Sequence, residues 1–496
     1  MVQTPAPEHT VALIERHLRQ RPAPFTLTEA ASTTGLAVHE ARDALDALLA
    51  KYVCWLQVSE HGDLIYNFSA PLRRRGAKTW AERRREILAW LWRVFTVLYR
   101  VWIAVTLVVY FVIFLVLLIA LLSKASGRGG GRSSSGFGSS GTTGRDDEPG
   151  PLLQFLGMFT SIFHWRTITG ATVHARDRQG YRYKHYQPQP GILNRAKKSF
   201  VAAVYDFVFG PPRVVQPSLQ NEREVAAYLR RHKGIVTTAE LSALAGWTFP
   251  QAETFLIDCV IRFEGDTRVS DEAALYGQFD TIIRGVGSGD AGKIVHYWDE
   301  YEPEYELTGN SADHNGLIVA MNSFNLLFSL FVLTGSFQQI VQTQVDAQLA
   351  TSLAGSAVAA VLLGWIPLIF SFLFFLIPTS RRLGFRSLRR RRHQQNIRKR
   401  LFKAIFAHQG APRTLSQIAT AVNANAPEEV LAAALVEERM KELVLDLSGD
   451  MAITATAEIQ FSFPRISREM HAGPRLRRQR QVDGDLGDIV VESDNA

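Results

Sequence analysis

Cysteine occurs only twice in the 496 residues, at Cys54 and Cys259. The two lie far apart, each inside an apolar run, so they form neither a disulfide framework nor a cysteine metal site and read as buried core thiols. Sequence signatures of catalysis are missing as well. No G-x-x-x-x-G-K-S/T, H-E-x-x-H, C-x-x-C or G-x-S-x-G occurs, so no catalytic residue, cofactor ligand or metal ligand is assigned. The first 30 residues contain no apolar core of the roughly 7–15 residues a cleavable signal peptide requires. Charge is plentiful, with 55 Lys and Arg against 47 Asp and Glu and a net charge of +8.

Long apolar runs are also present. Val101–Leu122 is uncharged throughout and long enough to cross a bilayer, which needs about 20 apolar residues in a helix. Transmembrane helices are therefore expected over 101–123, 316–335 and 352–378. None of their apolar cores carries an ionisable side chain, the usual marker of transport or proton relay. Asn322 and Asn325 share one helical face, and Gly355, Ala359, Ala360 and Gly364 form a small-residue series; both read as helix-packing devices. A pore-lining role for the Asn face is the alternative.

Arg73, Arg74, Arg75, Arg83, Arg84 and Arg85 precede the first span, within a basic segment over 71–100. Arg389, Arg390, Arg391 and Arg392 follow the last, within another over 381–394 and the longer run "LRRRRHQQNIRKR". Positive flanks orient spans and attract anionic lipid. The expectation is a multi-pass protein of a bacterial inner membrane with both termini cytoplasmic. Three crossings cannot leave both ends on one side. The uncharged stretch "PLLQFLGMFTSIFHW" within 151–166 therefore reads as a fourth, short crossing, with an interfacial segment as the alternative. Between them, 124–150 reads as a flexible Gly/Ser-rich loop, and 167–190 reads as a polar hairpin. An acidic, aromatic linker is expected over 297–315.

One pattern recurs three times. Thr26 and Glu29, Thr237 and Glu240, and Thr414 and Gln417 each form T-x-x-E/Q, the capping box that satisfies free amides at a helix start. Nine residues after each threonine stands Gly35, Gly246 or Asn423, types that end helices. Second helices follow at "AVHEARDALDALL", "TFPQAETFLIDCV" and "APEEVLAAALVEE", and then alternating hairpins containing "DLIYNFS", "AALYGQFD" and "AEIQFSFP". This order resembles the winged-helix form of the helix-turn-helix family, over 10–70, 217–281 and 395–466. The stretch "SFVAAVYDFVFGPP" followed by "NEREVAAYLRRHKGIVTTAELSAL" is similar to bacterial and plastid membrane proteins that carry such modules. The fold class expected is mixed and mainly α, three small α+β modules separated by transmembrane helices, with a disordered tail over 467–496.

DNA-binding members of that family place a basic or amide-rich third helix in the major groove. Here that helix is net acidic in all three copies, with Glu40, Asp43 and Asp46 in the first, Glu253 and Asp258 in the second, and Glu428, Glu429, Glu437, Glu438 and Glu442 in the third. A polyanion would be repelled. The leading expectation is a non-enzymatic membrane scaffold or adaptor that binds a cytoplasmic protein partner, with homo-oligomerisation left open. The alternatives are a membrane-tethered transcription regulator and a small transporter or channel subunit.

Overall fold

The computed structural model describes residues 8–20, 23–76, 80–127, 198–211, 219–286, 294–299, 301, 306–344, 357–424, 430–481 and 486–492. The chain is mainly helical, with small antiparallel sheets. A first unit comprises α1 (Glu8–Gln20), β1 (Phe25–Thr26), α2 (Leu27–Thr34), α3 (Val38–Lys51), β2 (Cys54–Ser59) and β3 (Leu64–Phe68). Then come the long helix α4 (Trp80–Gly127) and the short α5 (Phe200–Phe209). A second unit has α6 (Gln220–Arg231), β4 (Ile235–Thr237), α7 (Thr238–Ala245), α8 (Phe249–Phe263), β5 (Asp266–Val269) and β6 (Leu275–Gln278). Next are α9 (Ala312–Leu333), α10 (Ser336–Gln344) and α11 (Ile366–Ala407), the last entered through a π-helical turn over Ala360–Trp365. A third unit uses the end of α11 with β7 (Arg413–Thr414), α12 (Leu415–Ala424), α13 (Ala433–Asp446), β8 (Asp450–Ile453) and β9 (Ile459–Ser462). The chain closes with α14 (Pro464–Gln479) and β10 (Ile489–Glu492).

The three units share their geometry. The strand holding the capping threonine pairs antiparallel with the last hairpin strand each time, Thr26 opposite Ile65, Thr237 opposite Tyr276 and Thr414 opposite Gln460. Third helices bury apolar residues at three- and four-residue intervals, as an amphipathic helix must. Ala41, Ala44, Leu45 and Leu48 do so in α3, Ala252, Leu256, Cys259 and Phe263 in α8, and Val436, Met440 and Leu443 in α13. Before β4 and β7, Gly234 and Gly410 adopt φ of +66° and +70°. Their carbonyls accept hydrogen bonds from Phe279 N and Phe463 N, at 2.8 and 2.9 Å.

Among the described residues three helices are long and apolar enough to cross a membrane, and they lie in α4, α9 and α11 with its lead-in turn. Ile103, Ala104 and Leu107 of α4 pack with Ile318 and Met321 of α9, Phe374 of α11 and the whole apolar face of α5. Farther along, Phe114 and Leu121 pack with Phe328, Phe331 and Val332. Thus α4 and α9 run parallel and α11 returns antiparallel. The starts of α4 and α9 and the end of α11 lie at one end of the bundle, where the three units are attached.

Several expected boundaries are corrected. The segments 71–100 and 381–394 are not separate: from Trp80 the first is the same helix as the apolar stretch that follows, and the second lies inside α11, which runs from the apolar bundle to the core of the third unit. Helix propensity carries Arg, Lys and Gln as readily as Leu, so nothing interrupts either helix. The third unit's last helix starts at Ala433, later than "APEEVLAAALVEE" suggests. The expected disordered tail is helical to Gln479 and forms a strand at 489–492, because its arginines find acidic partners on the second unit. The expected linker is partly core: Tyr297 is buried, donates to Gln395 Oε1 at 2.7 Å and meets Phe402 edge-on. Of the loop expected over 124–150, residues 124–127 end α4, and the rest, with the expected crossing at 151–166, the expected hairpin at 167–190 and Gly355, lies outside the described residues.

A Cβ at Gly234 would stand 2.0 Å from Phe279 O, and one at Gly410 would stand 2.5 Å from Phe463 O. Gly234→Ala and Gly410→Ala are each expected to cost about 1–3 kcal/mol through left-handed strain and this overlap. A fall in apparent melting temperature, measured on the full chain in detergent, checks it.

Candidate functional site

The capping boxes close in all three units. Glu29 N donates to Thr26 Oγ1 at 3.2 Å while the Glu29 carboxylate accepts Thr26 N at 3.1 Å. The corresponding distances are 3.3 and 3.0 Å for Thr237 and Glu240, and 3.4 and 3.3 Å for Thr414 and Gln417. The third differs in environment: Glu29 and Glu240 are buried, whereas Gln417 is exposed. A buried carboxylate requires a counter-charge and a neutral exposed amide does not.

The counter-charges come from neighbouring units. Arg230 of α6 reaches Glu29 at 3.0 Å, joining the first unit to the second. Arg477 of α14 reaches both Glu240 oxygens, at 2.7 and 2.6 Å, joining the second unit to the helix that follows the third. Each acid therefore closes its own helix and fastens a neighbour.

Further contacts widen both seams. Glu469 of α14 is buried and accepts from Thr238 Oγ1 at 2.5 Å and Ala239 N at 2.6 Å, where the dipole at the start of α7 favours negative charge. Arg465 binds Glu469 and Glu253 at 2.9 and 2.6 Å and covers the Phe249 ring. Between the first two units, Arg262 lies 3.7 Å from Glu40 and donates to Gly35 O at 3.3 Å. Two of the acidic third-helix residues, Glu40 and Glu253, thus serve contacts within the chain.

Burial, reinforced by the charge of Glu240, pushes the Tyr228 hydroxyl far above its usual range, so it stays protonated. Burial also lowers the His232 imidazole, keeping it neutral. Burial opposes the Arg477 charge, but Glu240 outweighs it and raises the guanidinium pKa. Beside this seam a cavity of about 190 Å³ is lined by Tyr228, Glu240, His296, Trp298, Phe406 and Met470, among others. It is smaller than the roughly 300–1,000 Å³ of typical small-molecule sites. Its acid is already held by Arg477. Among the described residues no group of three or more His, Cys, Asp or Glu is placed to hold a metal ion.

The remaining sequence candidates lie elsewhere. Asn322 and Asn325 are fully buried, with side-chain amides donating at 3.0 Å to Ser371 O on α11 and Leu107 O on α4. Gly364 lies against Leu333, where a Cβ would stand 2.6 Å from a methyl carbon. Ala359 ends the short helical turn before the π-helical residues. Arg73, Arg75, Arg83, Arg84 and Arg85 are exposed, Arg74 is half-buried over the Tyr52 ring, and Arg85 pairs with Glu8. Arg389, Arg390 and Arg391 are exposed and Arg392 is half-buried. Farther along that run Arg398 binds Asp446 at 2.5 Å, and Lys399 and Arg400 are buried within the third unit. Sequence reasoning missed Arg230, Arg465, Glu469 and Arg477. The signal was there: Arg465, Glu469, Ala472, Gly473 and Arg477 recur at helical spacing.

No protein-family profile matches the chain, and no solved structure matches it. It is 23% identical over 335 residues to an uncharacterised chloroplastic protein of Arabidopsis thaliana, a match covering 62% of this chain. The chain spans 57% of that relative's length. The match points to a plastid and overturns the expectation of a bacterial inner membrane. Positive flanks report only which side of a membrane a segment occupies, and say nothing of which membrane it is.

Arg477→Met leaves Glu240 buried without its counter-charge and is expected to cost about 3–5 kcal/mol. Hydrogen exchange over 464–479 should accelerate strongly. Gln417→Ala, at the exposed box, should leave that exchange unchanged.

Proposed function

We propose that this chain is a non-enzymatic, membrane-anchored scaffold whose three units are winged-helix modules presented on one side of the membrane for protein contact. The observation that carries the reading is the double use of Glu29 and Glu240, whose ion pairs hold the units in fixed relation while leaving third-helix faces open. On α3 the open face offers His39, Arg42, Asp43 and Asp46; on α8 it offers Thr254, Ile257 and Ile261; on α13 it offers Glu438, Glu442 and Leu445. These faces are mixed acidic and apolar, which suits a protein surface better than a phosphate backbone.

The arrangement of the bundle supports a crossing between α4 and α5. Gly127 ends α4 at the end of the bundle away from the three units, whereas α5 packs at the near end beside Ile103 and Ile318. An odd number of crossings between them fits the expected fourth crossing and leaves all three units on one side. The exposed arginines at 83–85 and 389–391 on that side suit anionic headgroups.

Ile257→Asp with Ile261→Asp replaces two side chains that are 56% and 68% exposed, so stability should hardly change. Wild-type protein solubilised from its native membrane should retain a stoichiometric protein partner that the double variant loses. Absence of any stoichiometric partner on the wild type would sink the scaffold reading.

A further inference from the structure

The first half of α4 raises a problem that the bilayer does not solve. Val101–Leu122 is about 33 Å of helix at 1.5 Å per residue, enough by itself for the roughly 30 Å hydrocarbon core. The helix nevertheless begins at Trp80, and its preceding turns expose Leu88 (57%), Leu91 (48%), Phe95 (56%) and Leu98 (61%). These alternate at intervals of three and four residues. The same alternation continues without a break through Trp102, Val105, Val109, Val112, Val116 and Ile119, all exposed. This is a heptad seam of four and a half repeats, with its first third outside the hydrocarbon.

The other face of the helix shows where the seam points. Two residues before each leading heptad position stand Glu86, Arg93, Arg100, Leu107 and Phe114, with Leu121 next in the series. Leu107, Phe114 and Leu121 are buried against α5, α9 and their neighbours. Toward the start of the helix the same position becomes the exposed arginines Arg93 and Arg100, the latter stacked over Tyr205 of α5. That position thus turns polar while the seam stays apolar, with Trp90 and Val97 exposed beside it. Helix α11 behaves in the opposite way: its exposed series through Trp365, Ile369, Phe372 and Leu376 passes to Leu383, Arg386 and Arg390 on leaving the membrane. Lipid accounts for the exposed face of α11, but not for Leu88 to Leu98.

We propose that the seam of α4 binds the α4 helix of a second copy of this chain, forming a parallel, left-handed coiled coil that begins in the aqueous stalk and continues through the bilayer. Identical helices in register satisfy a heptad repeat along its whole length. Ten side chains about half exposed offer on the order of 800 Å² per chain, the area a standard stable interface buries on each partner. Ile87 and Trp92 flank the seam and extend its apolar width.

The test is disulfide cross-linking of the full chain in membranes. The native thiols give little background, since burial pushes Cys54 up to about 11 and Cys259 well above its usual value. Leu91→Cys and Leu98→Cys should each give a two-chain species on mild oxidation, and Arg93→Cys should not. No product at 91 and 98, as expected if lipid or another protein covers the seam, or equal product at 93, overturns the proposal. Native mass spectrometry supplies a second arm. The wild type should run as two chains, and Leu91→Glu with Leu98→Glu should run as one with unchanged circular dichroism; a single-chain wild type or a two-chain variant overturns it. Neither readout depends on the α8 face, so the scaffold reading and the dimer can fail separately.

Discussion

The structure outside the membrane depends on one electrostatic constraint: a carboxylate buried at the start of a short helix must find a cation. Capping alone satisfies its hydrogen-bonding needs but leaves its charge, and the nearest available cations belong to other units. Arg230 and Arg477 meet that need for Glu29 and Glu240. The third box carries the exposed Gln417, and the neutral residue removes the requirement. A local helix-start device thereby also joins one unit to the next.

The second organising element is the continuity of α11. One helix of 42 residues passes from the apolar bundle through the arginine-rich run into the core of the third unit, where Leu401, Phe402 and Ile405 are buried. Because the helix is unbroken, the third unit is fixed to the bundle in angle as well as position. Its basic run divides accordingly. The exposed arginines at 389–391 face solvent, while Arg398, Lys399 and Arg400 hold Asp446, the Tyr297 ring and the Val422 carbonyl. Nearer the bundle Arg381 donates to Val208 O and Leu307 O, tying α5 and the approach to α9 to α11.

Much of this was legible in the sequence where the physical signal is local. Capping boxes depend on residues three apart, apolar spans on composition over about twenty residues, and the spacing from Gly265 to Phe279 equals that from Gly449 to Phe463. What escaped were long-range contacts. The acidic third helices gave no hint that Glu40 and Glu253 have partners inside the chain, because Arg262 and Arg465 lie more than two hundred residues away. The tail over 467–496 reads as disordered from its arginine-rich composition, but its helical spacing carries the opposite signal. Glu469 and Arg477 become intelligible only beside Thr238 and Glu240.

The last strand carries a consequence for biosynthesis. β10 completes the sheet of the first unit by pairing with β2, and Gln57 and Glu492, which bond across that pair, are 435 residues apart in sequence. At about 5–20 residues per second, the ribosome finishes that distance roughly 20–90 s after β2 is made. Throughout that interval the nascent first unit presents an unpaired strand edge, a template for mispairing with other chains. The sheet of the first unit can be completed only after residues 489–492 have left the ribosome. Chains truncated before β10 would be marked by an open edge along β2.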